Sequence, residues 1–182
     1  ADESTPVAFL GEYASSCVGR ERVFSYYGRL HGTQQLMYRL NYAVELRYGV
    51  LVDIALKVLR DEPVDVSMGW LNCIWQGDAC ARAILCLEHT DTPARLLNVT
   101  GAEKLSVRTL AHELGRRLGR GPRIVGEEAP TAWLADAGES IRLFGPPETP
   151  LERMLDLVAD HVNGGGRLLG KPTHFEARSG KF

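Results

Sequence analysis

Two kinds of apolar pattern alternate along this chain, and the alternation limits the folds open to it. In residues 50–59 apolar side chains recur at helical spacing, whereas residues 95–99 form a short, mostly apolar run typical of a buried strand. Helical and extended segments of these kinds follow one another over most of the sequence. Because such segments pack as helices against a sheet, the sequence predicts an α/β protein.

Local signals set the expected element boundaries. Ser106 is a typical N-cap for a helix that ends at Gly119, and Asp78 is a typical N-cap for a helix of Ala, Leu and Cys residues. Pro150 fits the first turn of the last helix. We predict helices at 11–30, 50–59, 78–88, 107–118, 130–144 and 150–162, and strands at 35–39, 64–68, 71–75, 95–99 and 123–125. The polar, glycine-rich tail 164–182 is expected to lie on the protein surface or on a neighbour.

Composition and charge exclude several classes of partner. The 182 residues are 45% hydrophobic and 24% charged, which is ordinary for a globular protein, and the length suffices for one buried core. A formal net charge of -2 gives no reason to expect nucleic acid or an anionic membrane surface as a partner. No apolar run is long enough to cross a bilayer, and the first residues do not resemble a signal peptide.

The cysteines and histidines give no support for a metal site. The four cysteines show no C-x-x-C spacing, and two of them fall within a predicted helix: Cys17, Cys73, Cys80 and Cys86. We interpret them as reduced, buried thiols of a cytoplasmic protein. The five histidines are scattered, and His112-Glu113 lacks the second histidine of a zinc-protease helix because position 116 is Arg.

The segment 11–24 carries the clearest candidate for chemistry. If it is helical, Tyr13, Cys17, Arg20 and Glu21 share one side, since positions four and seven residues apart on a helix overlie one another. A tyrosine that opens a helix, followed one turn later by a residue able to tune its pKa, suits proton transfer. An aromatic residue in the first turn of an amphipathic helix also commonly packs against a core, so packing is the alternative.

Four short motifs occur one after another along the chain, and the first of them contains Tyr13. In the first motif a Glu- and Pro-rich loop leads into Y-x-x-x-K-x-x-x-E. Here the polar loop 2–6 leads into Tyr13, and Cys17 and Glu21 stand at the lysine and glutamate positions of that motif. Three later segments match R-x-x-N-x-Y-G, V-D-D-V-A and N-V-G-S/T in turn: Arg39-Leu40-Asn41-Tyr42-Ala43, Trp75-Gln76-Gly77-Asp78-Ala79 and Asn98-Val99-Thr100-Gly101. In these motifs the chain resembles the C-terminal half of the extended short-chain dehydrogenase/reductase family, the nucleotide-sugar epimerases and dehydratases.

The resemblance implies a fold and an activity. The fold is the C-terminal part of a Rossmann-type α/β protein, with the end of the nucleotide-binding domain at 1–62 and a small substrate-binding region at 63–182, of which 71–101 returns to the main sheet. The activity is NAD- or NADP-dependent hydride transfer at a nucleotide sugar or related carbinol, with Tyr13 as acid/base. Family members dimerise through the tyrosine helix, so a homodimer through residues 11–30 is expected.

By the same resemblance, cofactor-binding and substrate-binding residues follow the predicted strand 35–39. The residues beside the nicotinamide are Leu40, Asn41 and Tyr42. The residues that contact a small polar substrate are Glu45, Arg47 and Tyr48, the alternative being a surface loop with an isolated ion pair.

Cys17 stands where the family has a lysine, and this departure opens a second interpretation. The lysine binds the nicotinamide ribose and lowers the pKa of the tyrosine. A free tyrosine titrates near ~10, so without a nearby cation Tyr13 keeps its proton at neutral pH. Arg20 is one candidate cation, and Cys17 is either a small apolar replacement or a reactive thiol. The alternative function is therefore a non-catalytic module that binds a dinucleotide or another ligand.

The sequence lacks the glycine-rich turn of a dinucleotide site. Such a site begins with a strand, a G-x-G-x-x-G turn and a helix, whereas the nearest glycine cluster, at 115–126, follows a helix and precedes a strand. We expect NAD or NADP to be bound mainly by an upstream half. These residues are then part of a longer protein or the partner of another one, and alone they should bind NAD poorly.

Overall fold

The computed structural model describes residues 1–178. Its helices are α1 (Gly11–His31), α2 (Val50–Leu59), α3 (Gln76–Leu85), α4 (Val107–Leu118), α5 (Gly138–Phe144) and α6 (Leu151–Asn163), with a 3₁₀ turn at Cys86–His89. Its strands are β1 (Leu36–Leu40), β2 (Ala43–Val44), β3 (Pro63–Asp65), β4 (Trp70–Leu71), β5 (Ile74–Trp75), β6 (Arg95–Val99), β7 (Leu105–Ser106) and β8 (Arg123–Val125).

Three of the four strand pairs in the described part of the chain are parallel, which confirms the predicted α/β class. The longest pair joins β1 and β6 with Leu36 opposite Arg95 and Leu40 opposite Val99. Parallel pairs also join β2 to β5 and β3 to β8, while β4 and β7 run antiparallel. Among residues 1–178, the outer edge of β1 pairs with no other strand.

Helices α1 and α3 lie on opposite faces of the β1–β6 pair. Arg39 of β1 donates to Glu21 of α1, whereas the Tyr38 hydroxyl donates to the Ala79 carbonyl of α3 over 2.7 Å. Adjacent side chains of a strand point to opposite faces of the sheet. The parallel pair therefore lies between two helices, and a hydrogen bond from β1 to each helix holds it in place.

Two buried clusters hold the chain together. The larger joins α2, α4 and α6, and its fully buried members include Leu51, Ile54, Leu114, Leu155 and Val158. The smaller packs α3 and the 3₁₀ turn against β6: Ile74, Ala79, Cys86, Leu97 and Val99. Burial of a leucine- or valine-sized side chain contributes about 1.5–3 kcal/mol, so the larger cluster supplies most of the stability.

Helix α1 contributes little to either cluster. Gly11 takes a φ of 81° at its first position and Gly32 a φ of 64° just after its end, and both values favour glycine. Between these limits only Val18 and Gly28 are buried. The exposed aromatic and aliphatic side chains of α1 are Tyr13, Val23, Phe24, Tyr26, Tyr27 and Leu30.

Several predicted boundaries are confirmed. The helices predicted at 50–59 and 107–118 and the strands predicted at 95–99 and 123–125 have the observed limits. Ser106 caps α4, because its hydroxyl accepts from the Thr109 amide over 3.2 Å. The predicted strand 71–75 is divided, since β4 and β5 pair with different partners.

The helix predicted at 130–144 is wrong over its first half. Only Gly138–Phe144 is helical, because the backbone before it makes hydrogen bonds to other segments. The Ala135 carbonyl accepts from the Asn72 side chain over 2.6 Å, and the Asp136 amide donates to the Ala1 carbonyl over 2.6 Å. These groups are then not free for a helical ladder.

Two single-residue predictions also need correction. Asp78 does not cap α3, whose N-cap is Trp75; its carboxylate accepts from the amide and hydroxyl of Thr149 and so joins α3 to the start of α6. The four cysteines are free thiols, but only Cys73 and Cys86 are buried, while Cys17 is half-buried and Cys80 exposed.

Residues 1–178 contain neither a helix suited to span a membrane nor a cluster of metal-binding side chains. Within this range no helix has both the length and the apolar character that crossing a bilayer needs. The same residues bring together no group of three or more His, Cys, Asp or Glu side chains able to hold a metal ion.

Candidate functional site

The N-terminal half of α1 brings together three of the residues singled out in the sequence. Tyr13 is 66% exposed, and its hydroxyl is hydrogen-bonded to half-buried Cys17 one turn later. Arg20 and Tyr48 are close enough to affect the ionisation of Tyr13 electrostatically. Tyr13, Cys17 and Arg20 of α1 therefore lie near one another, and the loop between β2 and α2 adds Tyr48 to them.

The electrostatics at Tyr13 are opposite to those that a lysine would produce. The pKa of Tyr13 is raised above its ordinary value, chiefly by its electrostatic interaction with Cys17 and then by the hydrogen bond to it. Burial and Tyr48 act in the same direction, while the Arg20 guanidinium acts against them without reversing the shift. Tyr13 therefore keeps its proton at neutral pH and is suited to donate a hydrogen bond.

A charged pair fixes α1 against β1. Arg39 donates two hydrogen bonds to the Glu21 carboxylate, over 2.8 and 2.7 Å, and both side chains are about three-quarters buried. The pKa of Arg39 is raised, mainly by its hydrogen bond to Glu21. This two-bond geometry fixes orientation as well as distance, so the pair sets the position of Tyr13 relative to the end of β1. Both residues stood in the sequence motifs, but sequence reasoning gave neither a role.

A cleft of about 200 Å³ opens at the carboxyl ends of β1 and β6. Its walls are formed by Arg39, Leu40, Asn41, Asn98, Trp133, Leu134 and Ala135. In open α/β sheets, ligands bind at this end of parallel strands. Of the three predicted cofactor-binding residues, Leu40 and Asn41 line the cleft, whereas Tyr42 lies mostly buried beside it.

An amide network supports the floor of this cleft. The Asn41 side chain donates to Asn72 over 2.8 Å, and Asn72 donates in turn to the carbonyls of Gly101 and Ala135. The backbone amide of Asn98 donates to the Glu3 carboxylate over 2.7 Å. Asn72 was missed in the sequence, and Asn98 stood in a motif without a role, because the segments that meet here are distant along the chain.

The predicted substrate-binding residues divide into two groups. Glu45 and Arg47 form an ion pair with each other at 3.0 Å, and Arg47 is about half exposed, as in the alternative of a surface loop. Tyr48 instead lies near Tyr13 and Tyr42. The pKa of Tyr42 is raised by burial first and then by the charges of Glu176 and Tyr48.

Arg20 lines a second cleft, of about 250 Å³, between α1 and β1. Its other lining residues are Glu21, Phe24, Leu36, Met37 and Tyr38. The Arg39–Glu21 pair separates the two clefts, because Glu21 belongs to one and Arg39 to the other. Arg20 and Asn41 therefore do not meet in one cleft.

Solved structures share this arrangement of elements. A UDP-glucuronic acid 4-epimerase from Bacillus cereus, in complex with NAD, superposes with a TM-score of 0.73 at 16% identity over 91% of this chain. A UDP-glucose 4-epimerase from Thermotoga maritima, with UDP-glucose, gives 0.71 at 17% identity over 91% of this chain, and one from Thermus thermophilus gives 0.67 at 20% over 90%. The chain has the epimerase fold.

The similarity has two limits. This chain spans only 56% to 58% of the length of those three epimerases, consistent with the expected C-terminal half of the extended short-chain dehydrogenase/reductase fold. No protein-family model matches the chain, and no curated protein matches it in sequence. Because every identity is low, the epimerase fold is established by the comparison, while activity and ligands require separate arguments.

Proposed function

We propose that this chain is the substrate-side part of an NAD(P)-dependent, epimerase/dehydratase-like protein that acts on a nucleotide sugar or related carbinol by hydride transfer. The observation that carries this proposal is the cleft at the carboxyl ends of β1 and β6, with Leu40 and Asn41 in its wall. Structures of the same fold contain NAD, NADPH, NADH or UDP-glucose. In this proposal Tyr13 is the acid/base and Tyr48 contacts the substrate.

The cofactor is proposed to bind only partly to this chain. Leu40 and Asn41 fit the nicotinamide end, since they line the cleft, and Tyr42 follows them in the chain and packs against the larger buried cluster. Within residues 1–178 no glycine-rich turn joins a strand to a following helix, which is the element that receives the pyrophosphate. That part of the cofactor needs a nucleotide-binding α/β unit, on the same polypeptide or on another one.

The unpaired edge of β1 is the surface we propose for that unit. Parallel strands normally have neighbours on both sides and helices on both faces. Here α1 and α3 already cover the two faces of the sheet. Three apolar residues at the end of α3 and in the 3₁₀ turn after it remain at least half exposed: Ile84, Leu85 and Leu87. An added parallel strand would extend the sheet next to Tyr13 and Asn41.

The free thiols fit the reducing environment of the cytoplasm, where we place the protein.

A non-catalytic ligand-binding module is the second candidate, and the raised pKa of Tyr13 favours it. Oxidation of a carbinol requires a base that takes the hydroxyl proton as the hydride leaves. A tyrosine that keeps its own proton does not serve as that base at neutral pH. It does serve as a hydrogen-bond donor to a bound sugar or carbonyl, which is sufficient for binding.

The first candidate predicts that the chain binds a nucleotide sugar, whereas the second requires only a dinucleotide or another ligand. Calorimetric titration with UDP-glucose should give a dissociation constant of roughly micromolar to millimolar. Asn41→Ala should weaken binding by about tenfold, or ~1.4 kcal/mol, because it removes a polar group of the cleft wall. Asn163→Ala, which changes an exposed amide at the end of α6, is the matched control and should bind like the native chain. Absence of UDP-glucose binding by the native chain would contradict the proposal.

A further inference from the structure

The segment 165–178 has no regular secondary structure, yet it is firmly attached to α2. Phe175 is only 1% exposed and belongs to the larger buried cluster. Thr173 donates from its amide and its hydroxyl to the Asp53 carboxylate, over 2.7 and 2.6 Å. Lys57 forms an ion pair with Glu176 and lies 5.5 Å from the centre of the Phe175 ring.

The two ends of this segment reach two parts of the candidate site. At one end, the Leu169 amide donates to the Arg47 carbonyl over 3.1 Å, in the loop that also holds Tyr48. At the other end, the Ala177 carbonyl accepts from the indole N–H of Trp133 over 3.1 Å. Arg178 donates to the Thr131 carbonyl over 2.8 Å and to the Thr131 hydroxyl.

These contacts matter because residues 130–137 are not helical. Without a ladder of helical hydrogen bonds, the position of this stretch depends on bonds from other segments. Trp133 lines the cleft with Asn41 and remains 44% exposed. Since Ala177 engages its indole N–H, the orientation of the ring depends on where the C-terminal segment lies.

We infer that residues 167–178 form a strap that positions Trp133 as one wall of the cleft and so helps to determine which ligand the cleft admits. Phe175 anchors the strap in the core, and Ala177 with Arg178 transmits its position to residues 131–133. Trp133 and Phe175 are positioning residues in this arrangement. The statement about ligand choice rests on the proposed function, whereas the statement about the position of Trp133 does not.

The first test needs no ligand. Phe175→Ala should detach the strap, so acrylamide should quench Trp133 fluorescence more strongly than in the native chain. The Trp133 contribution is obtained by subtracting the signal of a matched Trp133→Phe variant, which removes the contribution of Trp70 and Trp75. Phe175→Leu should restore most of the protection, because it refills the buried position.

Two further variants keep the test decisive. Arg178→Ala removes the hydrogen bonds to Thr131 and a 3.5 Å contact with the Met68 sulfur, but it leaves Phe175 in the core. It should therefore also raise quenching if Phe175→Ala fails to fold. Leu114→Ala opens the same buried cluster from α4 and should leave Trp133 quenching unchanged. Unchanged quenching in both Arg178→Ala and a folded Phe175→Ala would overturn the inference.

The second test concerns the ligand. If UDP-glucose binds the native chain, Phe175→Ala should weaken binding by about tenfold through loss of preorganisation, and Leu114→Ala should not. Equal affinities in Phe175→Ala and the native chain would overturn the role in ligand choice. If the native chain does not bind UDP-glucose, the proposed function fails, and the quenching result still decides whether the strap positions Trp133.

Discussion

At the scale of single residues, the Tyr13–Cys17 contact distinguishes the two candidate functions. A cation one turn after a tyrosine lowers the pKa of the phenol, whereas Cys17 at that position raises it. Arg20, the candidate cation, acts in the lowering direction, yet the pKa of Tyr13 remains above its ordinary value. Tyr13 is therefore a hydrogen-bond donor at neutral pH.

Replacing Cys17 should reverse this shift. In Cys17→Lys the pKa of Tyr13 should fall below its ordinary value, because a positive charge stands one turn away in place of Cys17. In Cys17→Ser the pKa of Tyr13 should fall toward its ordinary value, since the largest cause of the raised pKa is removed. Ultraviolet absorbance titration measures both values, with Tyr13→Phe to identify the signal.

The same variants separate the functions once the nucleotide-binding unit is supplied. Turnover gained by Cys17→Lys would favour an enzyme that has lost its activating cation, and continued inactivity would favour a binding module. Turnover by the native chain that survives Cys17→Ser but not Tyr13→Phe would favour altered chemistry at Tyr13. A Tyr13 pKa that stays raised in Cys17→Lys would contradict the electrostatic argument itself.

At the scale of elements, a shared carboxylate holds α5 to β6. Glu139 in the first turn of α5 pairs with Arg142 of the same helix and with Arg95 at the start of β6. Its pKa is lowered to about 2, first by the hydrogen bond from Arg142 and also by that from Arg95. Burial of the carboxylate acts in the opposite direction and is outweighed.

This shift predicts a pH dependence with a definite sign. An unfolded glutamate titrates near about 4.3, so the stabilisation from Glu139 is complete above that pH and is lost as the pH falls through about 2. Denaturant unfolding at several pH values should show that Glu139→Gln lacks this part of the acid sensitivity. Glu148→Gln, in an exposed loop, is the matched control and should keep it. Equal pH profiles for Glu139→Gln and the native chain would contradict the assignment.

The elements also show what sequence patterns predict well. Periodicity gave α2 and α4 correctly because each buries one apolar side against a common core. It failed at 130–137 because the backbone there hydrogen-bonds to Asn72 and Ala1, which are far away in sequence. The motif residues Leu40 and Asn41 line the cleft, and their role in binding a cofactor stays a prediction. Trp133 also lines the cleft, but its hydrogen bond to Ala177 in the C-terminal segment is encoded by no local pattern.

At the scale of the whole molecule, the exposed side of α1 is the surface proposed for a homodimer. Val23, Tyr27 and Leu30 recur at helical spacing and are each more than half exposed. Light scattering at micromolar concentration should give twice the 20.1 kDa mass of the chain. Leu30→Glu should shift the mass toward the monomer, because it places like charges in a symmetric interface.

A matched variant on the other side of the sheet makes this test specific. Ile84→Glu alters an equally exposed apolar residue of α3 and should leave the dimer intact. Monomer at every concentration in the native chain would count against the homodimer. Dissociation by Ile84→Glu rather than Leu30→Glu would instead assign the interface to α3.

The pairing of β1 with β6 also has a consequence for how the chain reaches this state. Its two strands are about sixty residues apart, and contacts so distant in sequence form late because a long loop must close first. At typical rates of synthesis β6 leaves the ribosome roughly 3–12 s after β1. During that interval the edge of β1 that later pairs with β6 has no partner, so the nascent chain exposes a largely apolar strand edge to other chains.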